Sequence, residues 1–402
     1  MRLHEVAVEA GPGRSRLVGR VERASGERYE LYFEFGDGLP GALVPRADAF
    51  VPALLVPAML AGEPLECDLP VSPQLLRQLG RVQAILTAWR PELTRVPVDI
   101  PDATTMVPPA PAIGCFFSGG VDSFYSALKS LRSDPPSSRA THLIFMRGFD
   151  AQVDSRATLD AAEAHVRRIA ARLGIAIIVG ESNVRDHMRS LWPEAYQGAA
   201  LGAAGLALGG LLGRVLIPST LPYVRMGKPW GSHPLLDECW STETVTLLHD
   251  GSEANRFGKI ERIGRWDRAA LDELRVCLKV HGAPENCGRC PKCVRTITML
   301  ALAGHTGLRS FPGGLPGDYI AWIARDNPAF WGELRQGLAG PGSALLPDLP
   351  AVLDRLERRR QWRTTLRSLA ELCGVLPALV SGRRVAGAFR RAPRVQPDSS
   401  AS

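Results

Sequence analysis

The sequence lacks a GxxxxGK[ST] stretch, which excludes a Walker-type phosphate loop. It lacks an apolar run suited to a bilayer. The longest uncharged stretch of helical character, residues 195–213, is broken by many glycines and is shorter and less apolar than a good membrane span. That stretch reads as a helix buried under a sheet, with Gly and Ala allowing close approach. No secretory leader is visible, because Met1-Arg2-Leu3-His4-Glu5 opens an alternating, strand-like pattern. No internal repeat is detectable. No thiol stands out as a nucleophile: Cys115 sits in an apolar run, and Cys67, Cys239 and Cys373 lack an obvious base. The other four of the eight cysteines cluster at metal-ligand spacing, which fits a reducing cytosol better than a disulfide framework. The expectation is a cytoplasmic protein with no membrane partner.

What is present suits a globular chain. Its 402 residues allow two or three domains, and 45% hydrophobic residues support sizeable cores. The net charge of +7 permits an anionic or nucleic-acid partner. The excess concentrates in residues 351–394, where eleven arginines, from Arg355 to Arg394, face only Asp354, Glu357 and Glu371. A solvated face is the favoured reading of that run, and nucleic acid is not the favoured partner.

Residues 1–106 read as a separate α+β domain. Strand signals are Glu5-Val6-Ala7-Val8, residues 16–21 and residues 29–35, the last followed by Gly36-Asp37-Gly38 turn chemistry. Helical signals follow at residues 50–60 and 73–89. No catalytic constellation lies there, which leaves packing, homodimer formation or partner recognition. The proline-rich stretch Val107-Pro108-Pro109-Ala110-Pro111 marks a boundary. Residues 112–303 alternate apolar strands (113–117, 142–146, 176–179, 214–217) with helical patterns. That order predicts an α/β fold: a parallel sheet with helices on both faces and ligands at the carboxyl ends of the strands. Residues 304–392 read as a helical region with breaks near Phe311-Pro312-Gly313-Gly314, and residues 393–402 as a disordered tail.

The most informative stretch is Ser118-Gly119-Gly120-Val121-Asp122-Ser123, set between the apolar run ending at Phe117 and the helical Phe124-Tyr125-Ser126-Ala127-Leu128-Lys129. A glycine turn at a helix N-terminus presents backbone N–H groups and the positive helix end to an anion. Ser118 and Ser123 add hydroxyls, and Asp122 can hold a magnesium ion against phosphates. The alternative is an ordinary strand-to-helix turn that binds nothing.

Cys277-x9-Cys287-x2-Cys290-x2-Cys293 supplies four thiolates, three of them in one compact turn. Two-residue spacing lets them reach one tetrahedral ion. Lys279, His281, Arg289, Lys292 and Arg295 lie nearby and offset part of the thiolate charge. Structural zinc is the expected occupant; an iron–sulfur cluster is the competitor.

The Ser118 to Ser123 stretch resembles the SGGxDS loop of the N-type ATP pyrophosphatases, which make AMP and pyrophosphate. With the late cysteines, the chain resembles the 7-cyano-7-deazaguanine synthase (QueC-type) branch of that pyrophosphate-loop superfamily. The resemblance covers roughly residues 112–303, and the flanking regions resemble a longer QatC-type group, some members of which sit in phage-defence operons. It implies an adenine nucleotide alpha-hydrolase-like fold. It also implies ATP held by Ser118, Gly119, Gly120, Val121, Asp122 and Ser123 with magnesium on its phosphates, and zinc on the four cysteines. The end of the second strand meets the nucleotide in that family, which makes Met146 and Arg147 site candidates. A lysine at the start of the corresponding late helix faces the phosphates, which singles out Lys259 among Arg256, Lys259 and Arg262.

The chain departs from the family where Met146-Arg147-Gly148-Phe149 replaces Asp-Tyr-Gly-Gln. It carries instead Trp230-Gly231-Ser232-His233-Pro234-Leu235-Leu236-Asp237, Trp240-Ser241-Thr242-Glu243 and His249-Asp250-Gly251, read as loops able to hold a purine-like base, or as structural residues. The expected activity is an AMP-forming ligation on a 7-deazaguanine carboxylate giving an amide or nitrile, with Asp122, Ser118 and Lys259 in catalytic roles. Transfer of the acyl group to a protein amine of the same operon is the alternative, and a non-enzymatic nucleotide- or nucleic-acid-binding module is a third. A tRNA-thiolating enzyme is more distant, because a closed four-cysteine site leaves no reactive pair.

Overall fold

The computed structural model describes residues 1–36, 39, 41–102, 108–149, 156–277 and 286–372. The Gly36-Asp37-Gly38 turn beyond Gly36, Val107, Asp150, Lys279, His281, Cys373, the arginines from Arg383 on and the tail lie outside them. Three strands open the chain: β1 (Arg2–Gly11), β2 (Arg14–Glu22) and β3 (Arg28–Gly36). They pair as an antiparallel meander. In β3, Leu31, Phe33 and Phe35 are buried while their neighbours are not, the period-two pattern of a half-buried strand. The helix α1 (Phe50–Ala61) is apolar all round, and ten of its residues are buried. Its Pro57 has no N–H to offer the carbonyl of Ala53 one turn earlier. The Tyr196 hydroxyl supplies that bond instead, at 2.6 Å. The short strand β4 (Leu65–Cys67) then pairs parallel to β1. The helix α2 (Pro73–Trp89) is capped by Ser72, whose hydroxyl accepts from Leu75 N at 3.1 Å. The strand β5 (Val98–Asp99) ends this half, paired with β4.

The second half alternates as the sequence predicts: β6 (Ala112–Phe116), α3 (Val121–Ser133), β7 (His142–Arg147), α4 (Arg156–Leu173), β8 (Ala176–Ser182), α5 (Gln197–Ala207), β9 (Leu212–Pro218) and α6 (Pro234–Asp237). One more strand, β10 (Thr246–Asp250), precedes α7 (Arg256–Trp266) and α8 (Arg268–Asp272). Strands β10, β9, β6, β7 and β8 are parallel neighbours in that order. Alternate residues of β6 and β7 are buried on both faces, Cys115, Leu143 and Phe145 on one and Phe116, Ile144 and Met146 on the other. Helices therefore cover both faces of this parallel part. The glycine- and alanine-rich α5 lies buried, as expected. Gly198 sits so close to its surroundings that a Cβ there would fall 2.2 Å from Asp237 Oδ1. Among the described residues no helix is long and apolar enough to cross a membrane.

The first hundred residues do not stand apart as read from the sequence. Strand β3 pairs antiparallel with β8 from Phe33↔Ser182 to Phe35↔Gly180, joining both halves into one ten-stranded sheet. Asn183 extends the seam, accepting from Tyr32 N at 3.0 Å and donating to Glu30 O at 2.7 Å. A Cβ on Gly180 would lie 2.6 Å from the Phe35 ring and 2.7 Å from Met146 Sδ, so the seam closes because this residue has none. Residues Met1–Leu345 form one compact unit, which moves the boundary expected after residue 303 to Leu345. Its last helices are α9 (Pro291–Leu302), α10 (Tyr319–Arg325) and α11 (Trp331–Gly337). The second unit carries α12 (Leu349–Leu372), on which Arg355, Arg358, Arg359 and Arg360 are exposed.

Candidate functional site

In the parallel part, β7 and β8 follow β6 on one side, and β9 and β10 lie on the other. The chain order therefore reverses between β6 and β9, and open α/β sheets place ligands at the carboxyl end of such a switch point. A cleft of about 570 Å³ opens there. Phe116 to Ser118, Met146 and Pro218, from the ends of three strands, line it.

The glycine turn forms the floor. Gly119 has φ +78°, the left-handed region where a side chain is strained. Gly120 is the N-cap of α3, so Val121, Asp122 and Ser123 open the helix with amides that lack intrahelical partners. The turn is braced from outside by Arg275 N donating to Gly119 O at 2.8 Å. The two serines play unequal parts. Ser123 Oγ donates to Gly120 O at 3.0 Å and accepts from Ser118 N at 3.3 Å, so it holds the turn's shape, and the residue also lines the cleft. Ser118 keeps its hydroxyl for the cleft.

Asp122 is not a free carboxylate awaiting a metal. Its Oδ1 accepts from Lys259 Nζ at 3.0 Å and its Oδ2 from Arg256 Nη2 at 2.9 Å. Burial alone would raise its pKa, but the two cations outweigh burial and hold it at about 2. Lys259 is fully buried and also donates to Ser219 O. It thus reaches the turn through Asp122, while Arg256 lines the cleft. The third residue of the helical series, Arg262, donates to Tyr125 OH at 2.5 Å, so α7 presents this face to α3 and not to solvent.

Among the described residues six cations and one carboxylate line the cleft: Arg185, Lys228, Arg256, Arg275, Lys292 and Arg295 against Asp122. Arg295 is buried, stacks 3.5 Å from the Phe330 ring centre and pairs with Asp326 at 3.1 Å. Burial, then the like charge of Arg256, pushes its pKa down to about 10. Glu333, raised by burial, accepts from Arg256 N at 3.1 Å and pairs with Arg225 at 3.2 Å. Sequence reasoning missed Arg295, Arg275, Asn327 and Phe330 as cleft residues. The last two come from the region after residue 303, which the resemblance does not cover.

The other end of the cleft is aromatic. Phe149 and Trp192 meet edge to face at 5.2 Å, Arg185 lies over Trp192 and Lys228 over Trp230, each at 4.8 Å. Met146 lines this cleft, but Arg147 does not. Successive strand residues point to opposite faces, and Arg147 turns toward α4, pairing with Asp160 at 2.6 Å and Glu163 at 2.5 Å. Of the residues read as base-holding loops, only Trp230 lines the cleft. His249 and Asp250 belong to β10, and the His249 ring is buried with Nδ1 2.7 Å from Asp237 Oδ2. Ser232 donates to the same carboxylate at 2.7 Å. His233 caps α6 by accepting from Leu235 N at 3.1 Å. Trp240 is buried, and Glu243 accepts from Gln74 N at 2.8 Å and from Ser72 at the start of α2. These are structural residues.

The four cysteines converge as their spacing predicts. One ligand atom from each of Cys277, Cys287, Cys290 and Cys293 lies within 4.8 Å of the others. A tetrahedral site with zinc–sulfur bonds near 2.3 Å has sulfur–sulfur edges of about 3.8 Å. The Cys287–Cys293 separation of 3.9 Å already meets that value, so the donor set suits a metal such as zinc. A hydrogen bond with Cys290, then burial, pushes the Cys293 thiol up, so ionising the cluster calls for a cation. Asn286 gathers the site: it accepts from Val276 N at 2.7 Å and Cys277 N at 3.1 Å, and donates to Leu274 O at 2.7 Å. This clamp draws Cys277 to the late cysteine turn. Cys277 and Lys292 also line the cleft, so the cysteine cluster adjoins its cation-lined wall. The chain matches no protein-family model, no curated protein and no solved structure.

Proposed function

We propose that the chain is an ATP-dependent, AMP-forming ligase with an adenine nucleotide alpha-hydrolase-like fold that adenylates a carboxylate, the acid being a 7-deazaguanine. The observation that carries the reading is the Gly119–Gly120 turn at the start of α3, open to a cation-lined cleft at the sheet's switch point. The turn's amides and the Ser118 hydroxyl bind phosphate oxygens. Arg256, held by Asp122, faces the charge that develops as pyrophosphate departs. Magnesium brought in with the nucleotide would supply charge neutralisation on the phosphates. A carboxylate oxygen attacks the α-phosphorus and the bond to pyrophosphate breaks. An amine then attacks the acyl carbon and AMP leaves with the carboxylate oxygen. The chain's part is positioning and charge neutralisation. Phe149, Trp192 and Trp230 give the aromatic end that a flat base requires. Cys277, Cys287, Cys290 and Cys293 would hold zinc, which would fix the start of α9, the helix that carries Lys292 and Arg295.

The test is incubation with ATP, magnesium, 7-carboxy-7-deazaguanine and ammonia, followed by mass spectrometry. AMP with a free amide or nitrile is expected. AMP with a mass shift on a co-expressed protein assigns the acceptor to a protein amine. No AMP from the wild type under either condition sinks the ligase reading.

A further inference from the structure

Buried arginines ordinarily have every N–H satisfied, and an unsatisfied buried donor is costly. Two arginines of the cleft wall break this pattern. Arg256 and Arg295 are each more than nine-tenths buried, and both line the cleft. Arg256 Nη2 is engaged by Asp122 at 2.9 Å, but its Nη1 has no partner among the described residues. Arg295 Nη1 is engaged by Asp326, but its Nε has none.

The local charge is also unbalanced. Around these two side chains Arg225, Arg256, Lys259 and Arg295 are met, among the described residues, by Asp122, Asp326 and Glu333. The three carboxylates are already taken by the cations they pair with. Both guanidiniums are held in place, Arg295 by Phe330 and Asp326, Arg256 by Asp122. A rigid fork with an unpaired N–H beside a cleft is an arrangement suited to a planar or tetrahedral oxyanion.

We infer that Arg256 and Arg295 form an anion subsite in the cleft wall, built by α7, α9 and the segment from Asp326 to Glu333, that binds an oxyanion of the carboxylate or phosphate class. Its place beside the reaction rests on the ligase reading; its existence rests on the side chains alone. Two ligands share this chemistry, the carboxylate of the acid substrate and the pyrophosphate that leaves.

Calorimetric titration of the full-length, metal-loaded protein with two probes, inorganic pyrophosphate and benzoate, tests the inference. At least one probe binds the wild type, and Arg256→Gln and Arg295→Gln each weaken it by roughly ten- to a hundredfold. Benzoate sensitivity alone assigns the subsite to the acid, and pyrophosphate sensitivity alone to the leaving group. Arg295→Lys keeps the charge and loses the fork, so it weakens binding by an intermediate factor and decides the matter should the glutamine variants fail to fold. Failure of both probes to bind the wild type overturns the inference, as does affinity within twofold of wild type in the folded variants. Intact, arginine-dependent anion binding without AMP formation would retire the ligase reading and leave the subsite standing.

Discussion

Replacing Asp122 by asparagine isolates the ion pair at the centre of the cleft. The carboxylate accepts from Lys259 at 3.0 Å and from Arg256 at 2.9 Å. Its pKa lies at about 2, against an ordinary value of 3.8. A depressed carboxylate pKa contributes stability above the unfolded-state value and loses it as pH falls through the folded one. The shift corresponds to roughly 2 kcal/mol at neutral pH, falling by about half at pH 3. Asparagine keeps the shape and one acceptor but leaves Lys259 and Arg256 facing a neutral amide. Breaking a buried pair on one side costs about 3–5 kcal/mol, and the retained acceptor moves the expected loss to roughly 2–4 kcal/mol at pH 6. Urea unfolding of wild type and Asp122→Asn at pH 6, 4 and 3 measures it. The gap between the proteins should be largest at pH 6 and shrink toward pH 3. A gap under about 1 kcal/mol at pH 6, or one that does not change with pH, would refute the reasoning.

Three further outcomes follow from the same geometry. Tyr196→Phe removes the hydroxyl donor to the Ala53 carbonyl opposite Pro57, and should cost about 1–3 kcal/mol in urea unfolding, with no change in anion binding. Gly180→Ala forces a Cβ to 2.6 Å from the Phe35 ring at the β3–β8 seam; a loss of about 1–3 kcal/mol is expected, and a neutral result would show that the seam is loosely packed. Metal analysis should find about one zinc per chain in a colourless protein. Asn286→Ala should weaken zinc retention about tenfold or more in a chelator competition, whereas a brown protein with acid-labile sulfide would reassign the centre.

The parts legible in the sequence were those with local signatures. The strand, turn and helix around Gly119, the cysteine quartet, the existence of β1 to β3, and the spans of α1 and α2 to within a residue all rest on patterns within about twenty residues. Features set by distant contacts were harder to read. Phe35 and Gly180 give no sign in sequence that they meet, so the joining of the two halves into one sheet was missed. The strand β10 carries a loop-like signal, because His249 and Asp250 look polar and solvent-bound, yet Asp237 satisfies the His249 ring inside the fold. Arg256, Lys259 and Arg262 show helical spacing, which fits a wet face as well as a buried one; Asp122 and Tyr125 on α3 decide it. Arg295 sits two residues after Cys293 and reads as charge compensation for thiolates. Only the packed Phe330 and Asp326 reveal it as part of the cleft.

In the proposed reaction this cleft activates a carboxylate at the α-phosphorus of ATP. Isotope exchange between labelled pyrophosphate and ATP tests it without knowledge of the acceptor amine. With magnesium and 7-carboxy-7-deazaguanine, the zinc-loaded protein should move label into ATP in an acid-dependent manner, and Asp122→Asn should lower the rate. Exchange no greater with the acid than without it, in protein that binds ATP, would contradict the account.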